Sequence, residues 1–191
     1  MNGSLRAGLE RRRLTGVLVA RSLEEARLYL DLRPHGCGYA GRFEPELTLS
    51  RRDGQRVAVY QGTCAGCSES RRVEFAVPEI AVAGYGADEP SRILDAGEFL
   101  WASDRAAERA AALAGSADQA DRASARAALD VAIDALHEVR KFGPVTAAGQ
   151  LGSELGRQSY AANPDRFTAD RLRQRLELLL DARSRLERAP A

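Results

Sequence analysis

The stretch HGCGYAGRFEPELTLSRRDGQRVAVYQGTCAGC, residues 35–67, decides the fold of this chain. It opens with H-G-C at 35–37 and closes with C-A-G-C at 64–67, which together hold all three cysteines and one of the two histidines. Thiolate and imidazole are the ligands that zinc prefers, and four of them complete a tetrahedral site. The pattern therefore predicts one structural zinc ion per chain. The predicted ligands are His35, Cys37, Cys64 and Cys67.

Alternating apolar residues lie between the two ligand pairs and continue after the second pair. Apolar residues at every second position are typical of strands with one buried face. Asp53-Gly54 separates the first two runs and favours a tight hairpin turn. Because a hairpin brings its two ends together, it predicts that the ligand pairs meet at one end of a small antiparallel sheet. The three runs are Phe43, Leu47 and Leu49; Val57 and Val59; and Val73, Phe75 and Val77.

The residues before the ligands, 1–34, predict an arginine-rich arm, a short strand at 17–19 and one helix. Ser22 and Glu25 have the spacing of a capping box, in which each side chain accepts a free backbone N–H at the start of a helix. Pro34 ends the helical pattern, since the residue before a proline disfavours helical backbone.

The residues after the sheet, 88–191, predict helices. One begins at a second capping box, formed by Asp95 and Glu98, and another spans about 118–142. A glycine-containing segment then predicts a flexible loop before the last helix, which begins at Thr168. Two narrow apolar stripes predict a compact bundle, with Phe99 and Trp101 completing its core. The stripes are Leu129, Ile133 and Leu136 on one helix and Leu172, Leu176 and Leu179 on the last.

Residues 35–79 resemble a zinc ribbon, in which two short turns hold zinc at one end of an antiparallel sheet. The first pair is H-x-C where a ribbon usually has C-x-x-C, and Ser68 occupies a position that is often glycine. The layout of ribbon and helices also resembles uncharacterised actinobacterial proteins, which implies no activity. The resemblance implies an α+β fold, with a small antiparallel zinc-ribbon sheet packed with a C-terminal helical bundle. The predicted parts are 1–34, 35–87 and 88–191.

Composition narrows the classes of function. The net charge of +1 provides no overall field for nucleic acid or for an anionic membrane. No apolar stretch approaches the roughly 20 residues that span a bilayer, so no membrane partner is predicted. Three cysteines cannot all pair as disulfides, and their metal-ligand spacing favours a reduced, cytoplasmic protein.

The favoured hypothesis is a non-enzymatic, zinc-containing protein-interaction module, such as an adaptor or an immunity or antitoxin protein. Residues 1–21 carry a net charge of +4 and residues 88–118 a net charge of −4, an asymmetry that could guide a charged partner or a homodimer. The outer faces of the helical bundle are the predicted partner surface. The partner itself is not identified by the sequence.

Two other hypotheses remain open. A nucleic-acid-binding regulator would use the ribbon arginines, but residues 35–79 contain six arginines and six acids, and phosphate binding needs an excess of positive charge. An enzyme would use Cys64 and Cys67 in thiol redox chemistry or the zinc in hydrolysis. The C-x-x-C pair lies between predicted strands rather than at a helix N-terminus, and the H-x-E of zinc deaminases is missing. The candidate arginines are Arg51, Arg52, Arg56, Arg71 and Arg72.

Overall fold

The computed structural model describes residues 17–39, 41–86 and 88–188. Over these ranges the chain is α+β, as predicted, with a four-stranded sheet and five α-helices. Residues 1–16, which form most of the predicted arginine-rich arm, lie outside the described ranges. The first elements are β1 (Leu18–Val19), α1 (Leu23–Asp31), β2 (Glu46–Arg52), β3 (Gln55–Thr63) and β4 (Ser70–Ala76). The remaining helices are α2 (Ala96–Leu113), α3 (Gln119–Lys141), α4 (Glu154–Ala162) and α5 (Ala169–Arg188).

The sheet has the strand order β1-β4-β3-β2, with β1 parallel to β4 and the other neighbours antiparallel. Arg52 pairs with Gln55 across a two-residue turn, in which Asp53 and Gly54 have φ of +51° and +76°. Positive φ at both turn positions is characteristic of the hairpin turns that match the twist of a sheet. The predicted hairpin is confirmed.

Helix α1 packs on one face of the sheet. The Phe75 ring lies edge-on to the rings of Tyr29 and Tyr60, with centroids 5.6 and 5.7 Å away. The predicted cap is half-formed: the Glu25 N–H donates to Ser22 Oγ at 3.0 Å, but the Glu25 carboxylate accepts the N–H of Arg21. The helix thus begins where its sequence predicts. The Glu25 carboxylate, however, accepts the N–H of Arg21 instead of the N–H of Ser22 that a capping box would use.

Strand β2 departs from the predicted pattern. Leu47 and Leu49 are each 43% exposed, so the prediction that their face is buried is wrong. They lie beside Tyr60 and Ala58 on the face that α1 covers, but α1 has only nine residues and packs over the inner strands. The alternating pattern therefore identified a strand at the edge of the sheet, beyond the reach of the covering helix.

The bundle is built from α2, α3 and α5, as predicted. Both predicted leucine stripes are buried in one core with Phe99, and Trp101 is half-buried against it. The capping box of Asp95 and Glu98 is present, and Asp118 caps α3. None of the helices in the described ranges is both long enough and apolar enough to cross a membrane.

The segment predicted as a flexible glycine loop contains α4, so that prediction is wrong. Gly156 of α4 packs so closely on Gly97 of α2 that a Cβ on Gly97 would lie 2.4 Å from the Gly156 Cα. Asp95 joins the starts of the two helices, because its Oδ1 accepts the Glu98 N–H at 2.9 Å and its Oδ2 accepts the Ser153 N–H at 2.6 Å. Gly156 therefore permits a close helix contact.

Two buried ion-pair groups connect the sheet side to the bundle. Arg21 Nη2 lies 2.7 Å from Glu25 Oε1 and 2.8 Å from Glu138 Oε2 on α3. Arg33 Nη1 lies 2.9 Å from Glu98 Oε1 on α2. All three carboxylates are buried, and a buried charge is tolerated only when it is paired. These pairs favour one orientation of the sheet on the bundle, while the three-part division of the chain stays a prediction.

Candidate metal centre

The predicted ligands meet at the end of the sheet remote from the Asp53-Gly54 turn. Residues 35–37 follow α1, and residues 64–67 form the turn between β3 and β4. Glu46 at the start of β2 pairs with Gln61 near the end of β3, so the hairpin brings the two ligand pairs together, as predicted. Their ligand atoms all lie within 4.8 Å of one another. We refer to His35, Cys37, Cys64 and Cys67 as the His/Cys cluster.

The distances within the His/Cys cluster fit a tetrahedral metal site. Cys37 Sγ lies 3.6 Å from Cys64 Sγ, and Cys67 Sγ lies 3.3 Å from His35 Nδ1. Metal–ligand bonds of about 2.3 Å to sulfur and about 2.0 Å to nitrogen give tetrahedron edges of about 3.5–3.8 Å. Small movements of the side chains would therefore place all four ligand atoms around one ion.

Backbone hydrogen bonds shape both turns of the cluster. The Gly38 N–H donates to His35 O at 3.2 Å, and the Ser68 N–H donates to Cys64 O at 2.8 Å. Each turn ends in left-handed backbone, with φ of +78° at Gly38 and +62° at Ser68. The two turns thus share one local geometry, although the first encloses a shorter ligand pair. Ser68 adopts the conformation that glycine usually supplies at this position.

Gly66 is required by a close contact with Tyr39. A Cβ on Gly66 would lie 2.5 Å from the Cβ of Tyr39, a distance that atoms cannot adopt without a shift. Tyr39 follows the first ligand pair, so this contact packs one turn of the cluster against the other. Because Gly66 has no side chain, the two turns can pack this closely.

Two thiols of the cluster, those of Cys64 and Cys67, have pKa values shifted in opposite directions. The backbone N–H of Gly66 points at the sulfur of Cys64 and lowers the pKa of that thiol. The Glu69 N–H favours the thiolate of Cys67, but burial and the neighbouring sulfurs of Cys37 and Cys64 outweigh it and raise the pKa of Cys67 to about 11. A metal ion must displace such a proton, so metal affinity rises with pH.

Glu69 contacts the outer nitrogen of the histidine. His35 Nε2 lies 3.4 Å from Glu69 Oε2, while His35 Nδ1 faces the sulfur of Cys67. A carboxylate on the outer nitrogen orients a metal-binding imidazole and keeps its inner nitrogen free to bind. Sequence reasoning took Glu69 for an exposed charge; its side chain is 71% exposed, but the contact with His35 was missed. The sequence feature that could have indicated this contact is an acidic residue two positions after Cys67.

We expect Glu69→Gln to weaken metal binding about tenfold without changing the fold, because the amide orients the imidazole less well than a carboxylate. Competition with a chromophoric zinc chelator measures this affinity. Glu44→Gln is the matched control, since Glu44 is an exposed acid that undergoes the same change of charge and is not a ligand of the cluster. Equal affinities of the two variants would show that Glu69 is only a surface charge.

The five arginines that sequence reasoning considered for nucleic acid have partners within the chain. Arg51 lies 2.5 Å from Glu79, and Arg52 and Arg72 each lie 2.7 Å from Glu74. Arg56 donates to Glu79 O at 3.1 Å, and Arg71 stacks on the Phe43 ring at 4.9 Å. These five arginines thus have partners among residues 43–79.

The face of the sheet opposite α1 carries an open groove of about 610 Å³. Polar residues line most of it, and its charged residues are of both signs, namely Glu44, Glu46 and Arg72. Arg72 donates to Gln61 at 2.8 Å and to Glu74, so its charge is already balanced. The groove therefore has no net positive surface for phosphate groups.

The chain matches no protein-family model, no curated protein and no solved structure at a significant level. The resemblance to zinc ribbons stays a prediction, supported by the His/Cys cluster and by its position at the end of a hairpin.

Proposed function

We propose that this chain is a non-enzymatic protein-interaction module whose sheet is stabilised by one zinc ion. The observation that carries the proposal is the His/Cys cluster, with all four ligand atoms within 4.8 Å. Three thiolates and an imidazole suit zinc better than magnesium, calcium or manganese, which prefer oxygen ligands. A cytoplasmic location is part of this proposal, because reduced thiols are needed to bind the metal.

A structural role is favoured over a catalytic one. Catalytic zinc has three protein ligands and an open fourth position, whereas a structural site is closed by four. The cluster supplies four. Glu69 Oε2 lies 3.4 Å from His35 Nε2 and 3.9 Å from Cys67 Sγ, so this carboxylate contacts two of the four ligands and suits their orientation.

A thiol redox role fits less well. In thioredoxin-like proteins the C-x-x-C pair begins a helix, and the helix stabilises the attacking thiolate. Here Cys64 and Cys67 lie in the turn between two strands, and the N–H of Cys64 donates to Glu69 O across that turn at 2.9 Å. A redox role for Cys64 and Cys67 also does not explain why Cys37 and His35 lie next to them.

Binding of nucleic acid is not favoured either. Neutralisation of phosphates needs an excess of positive charge, whereas residues 35–79 contain as many acids as arginines, and two of these acids lie in direct contact with the arginines. We therefore expect any binding to DNA or RNA to be weak and without sequence preference, with tight binding at moderate salt as the contrary result.

The proposal is tested on the full chain purified without chelator. We expect elemental analysis to give one zinc per chain, and X-ray absorption at the zinc edge to give three sulfur neighbours and one nitrogen. Each ligand substitution should remove one of these neighbours. Thr63→Ser, next to the cluster but outside it, is the control.

Three results would contradict the proposal. Protein without metal would remove its basis, and an additional oxygen neighbour that exchanges with solvent would indicate an open, catalytic site. A native disulfide between Cys64 and Cys67 would favour redox chemistry instead.

A further inference from the structure

Strand β2 presents an open edge. All seven of its residues are exposed, and in the part of the chain that the structure describes only β3 pairs with it. Two leucines, Leu47 and Leu49, add apolar surface on the same face. An exposed, partly apolar edge strand can pair with another strand. Sequence reasoning favoured the bundle as the partner surface, whereas this edge is a more specific candidate.

The hairpin determines which backbone groups of β2 point outward. Arg52 and Gln55 flank a two-residue turn, where the flanking residues exchange both backbone hydrogen bonds. Hydrogen-bonded pairs then recur at every second residue along the ladder. The N–H and C=O groups at even positions of β2 thus face β3. Those of Leu47, Leu49 and Arg51 point to the open edge.

The charges of β2 are arranged by sign along the strand. Its acid, Glu46, is the first residue, and its two arginines, Arg51 and Arg52, are the last. Both arginines already contact acids of their own chain, but these exposed ion pairs are weak and leave the arginines able to interact with a second copy. A second copy aligned antiparallel therefore places acid against arginine at both ends. A parallel copy would place like charges together, which is unfavourable. The strand is complementary to itself in one direction only.

One antiparallel register uses every outward group. With Leu49 opposite Leu49 of the second copy, Leu47 pairs with Arg51, and these outward residues exchange about six backbone hydrogen bonds in total. In the same register Glu46 lies opposite Arg52. The leucines of both copies then form one apolar patch on the face that α1 only partly covers. A shift by one pair leaves an outward residue without a partner.

We propose that two copies of this chain associate through antiparallel pairing of their β2 strands about a twofold axis at Leu49, forming one eight-stranded sheet. The symmetry makes the interface self-complementary, as in most homodimers. This inference deepens the proposed function and rests on it, because the metal-stabilised sheet supplies the edge. The interface is narrow, so the dimer forms at micromolar rather than nanomolar concentration.

The test reverses one charge in each of two variants, Glu46→Arg and Arg52→Glu. In a homodimer of either variant, like charges face each other at both ends, and we expect association to weaken on the order of tenfold or more. In an equal mixture, the arginine of one variant faces the glutamate of the other at both ends. The mixture should therefore dimerise about as well as the original chain. Sedimentation over a range of concentrations measures this.

Matched controls carry the same change of charge elsewhere. Glu108→Arg on α2 and Arg173→Glu on α5 replace exposed residues of surface ion pairs, and both should dimerise like the original chain. Zinc content and circular dichroism are measured for every variant. Loss of zinc from the original chain counts against the proposed function, whereas a zinc-loaded monomer counts against the dimer alone.

Hydrogen exchange of the backbone amides shows whether a second copy or another part of the same chain covers the edge of β2. The outward amides of β2 should exchange quickly in dilute protein and slowly in concentrated protein. Protection of these amides in a monomer would show that another part of the chain covers the edge, and the proposal would fail. A monomer at millimolar concentration would overturn it in favour of a different protein partner. Variants that dimerise normally, or a mixture that does not recover, would overturn the register.

Discussion

Cys64→Ser is expected to abolish metal binding and to unfold the sheet while the bundle keeps its helices. Cys64 is the buried ligand of the His/Cys cluster, 4% exposed, and its Sγ lies 3.6 Å from that of Cys37. A serine hydroxyl stays protonated near neutral pH and is a poor zinc ligand, so affinity should fall about a thousandfold or more.

The sheet should unfold because little else holds it. Its core with α1 is small, and the edge strand β2 has no buried residue. Binding free energy at a structural zinc site is folding free energy, since the unfolded chain does not preform the site. The bundle has a larger core, which includes Leu28 of α1 but takes most of its residues from α2, α3 and α5. These three helices contribute no ligand to the His/Cys cluster.

Hydrogen exchange read by mass spectrometry separates the two outcomes. We expect amides in residues 46–76 to lose protection in Cys64→Ser, and those in 119–141 to keep most of theirs. Thr63→Ser, the exposed neighbour, should leave both unchanged. A Cys64→Ser protein with one tightly bound zinc would disprove the ligand assignment. Equal loss of protection in both segments would show that the buried pairs of Arg21 and Arg33 make sheet and bundle one cooperative unit.

The parts of this fold that short-range chemistry determines were predictable from the sequence. The Asp53-Gly54 turn, the capping box at Asp95 and the two ligand pairs each depend on residues within a few positions of one another. Closure of the cluster follows from these local features, because a hairpin brings its own ends together.

The features that sequence reasoning missed depend on contacts between distant segments. Alternation revealed β2 but not that α1 stops short of it, because a strand pattern does not record what covers its face. The glycine-containing segment that includes Gly156 was predicted to be a flexible loop, because the residue that Gly156 contacts, Gly97, is 59 positions away in sequence. The burial of Glu138 likewise depends on Arg21, 117 positions earlier.

Truncation after Gly143 is expected to turn the protein into an aggregating species. It removes α4 and α5 and uncovers the side of α3 that packs on α5, where the stripe of Leu129, Ile133 and Leu136 is buried. Large exposed apolar patches promote association between chains. Light scattering of the purified fragment should report aggregates, and a soluble fragment with a cooperative thermal transition would show that α5 is an appendage. The removed core residues are Leu151, Phe167, Leu172, Leu176 and Leu179.

The size of the loss explains this expectation. Burying one large apolar side chain contributes about 1.5–3 kcal/mol, so the five removed side chains represent on the order of 10 kcal/mol. Whole domains of this size are stable by about 5–15 kcal/mol. Truncation also removes the conformational entropy cost of ordering the lost residues, so the apolar surface left exposed on α3 decides whether the fragment stays soluble.

Two single substitutions on α5 test the same packing in a chain that still folds. Leu176 is buried against α3, whereas Leu178, two residues later, is 67% exposed. Leu176→Ala should lower the free energy of unfolding by about 2–5 kcal/mol, because it leaves a cavity in the core. Leu178→Ala should change it by less than about 0.5 kcal/mol, as surface substitutions usually do. Both variants undergo the same change in helix propensity, so the difference between them measures the packing of α5 on the bundle. Equal effects would place α5 outside the core.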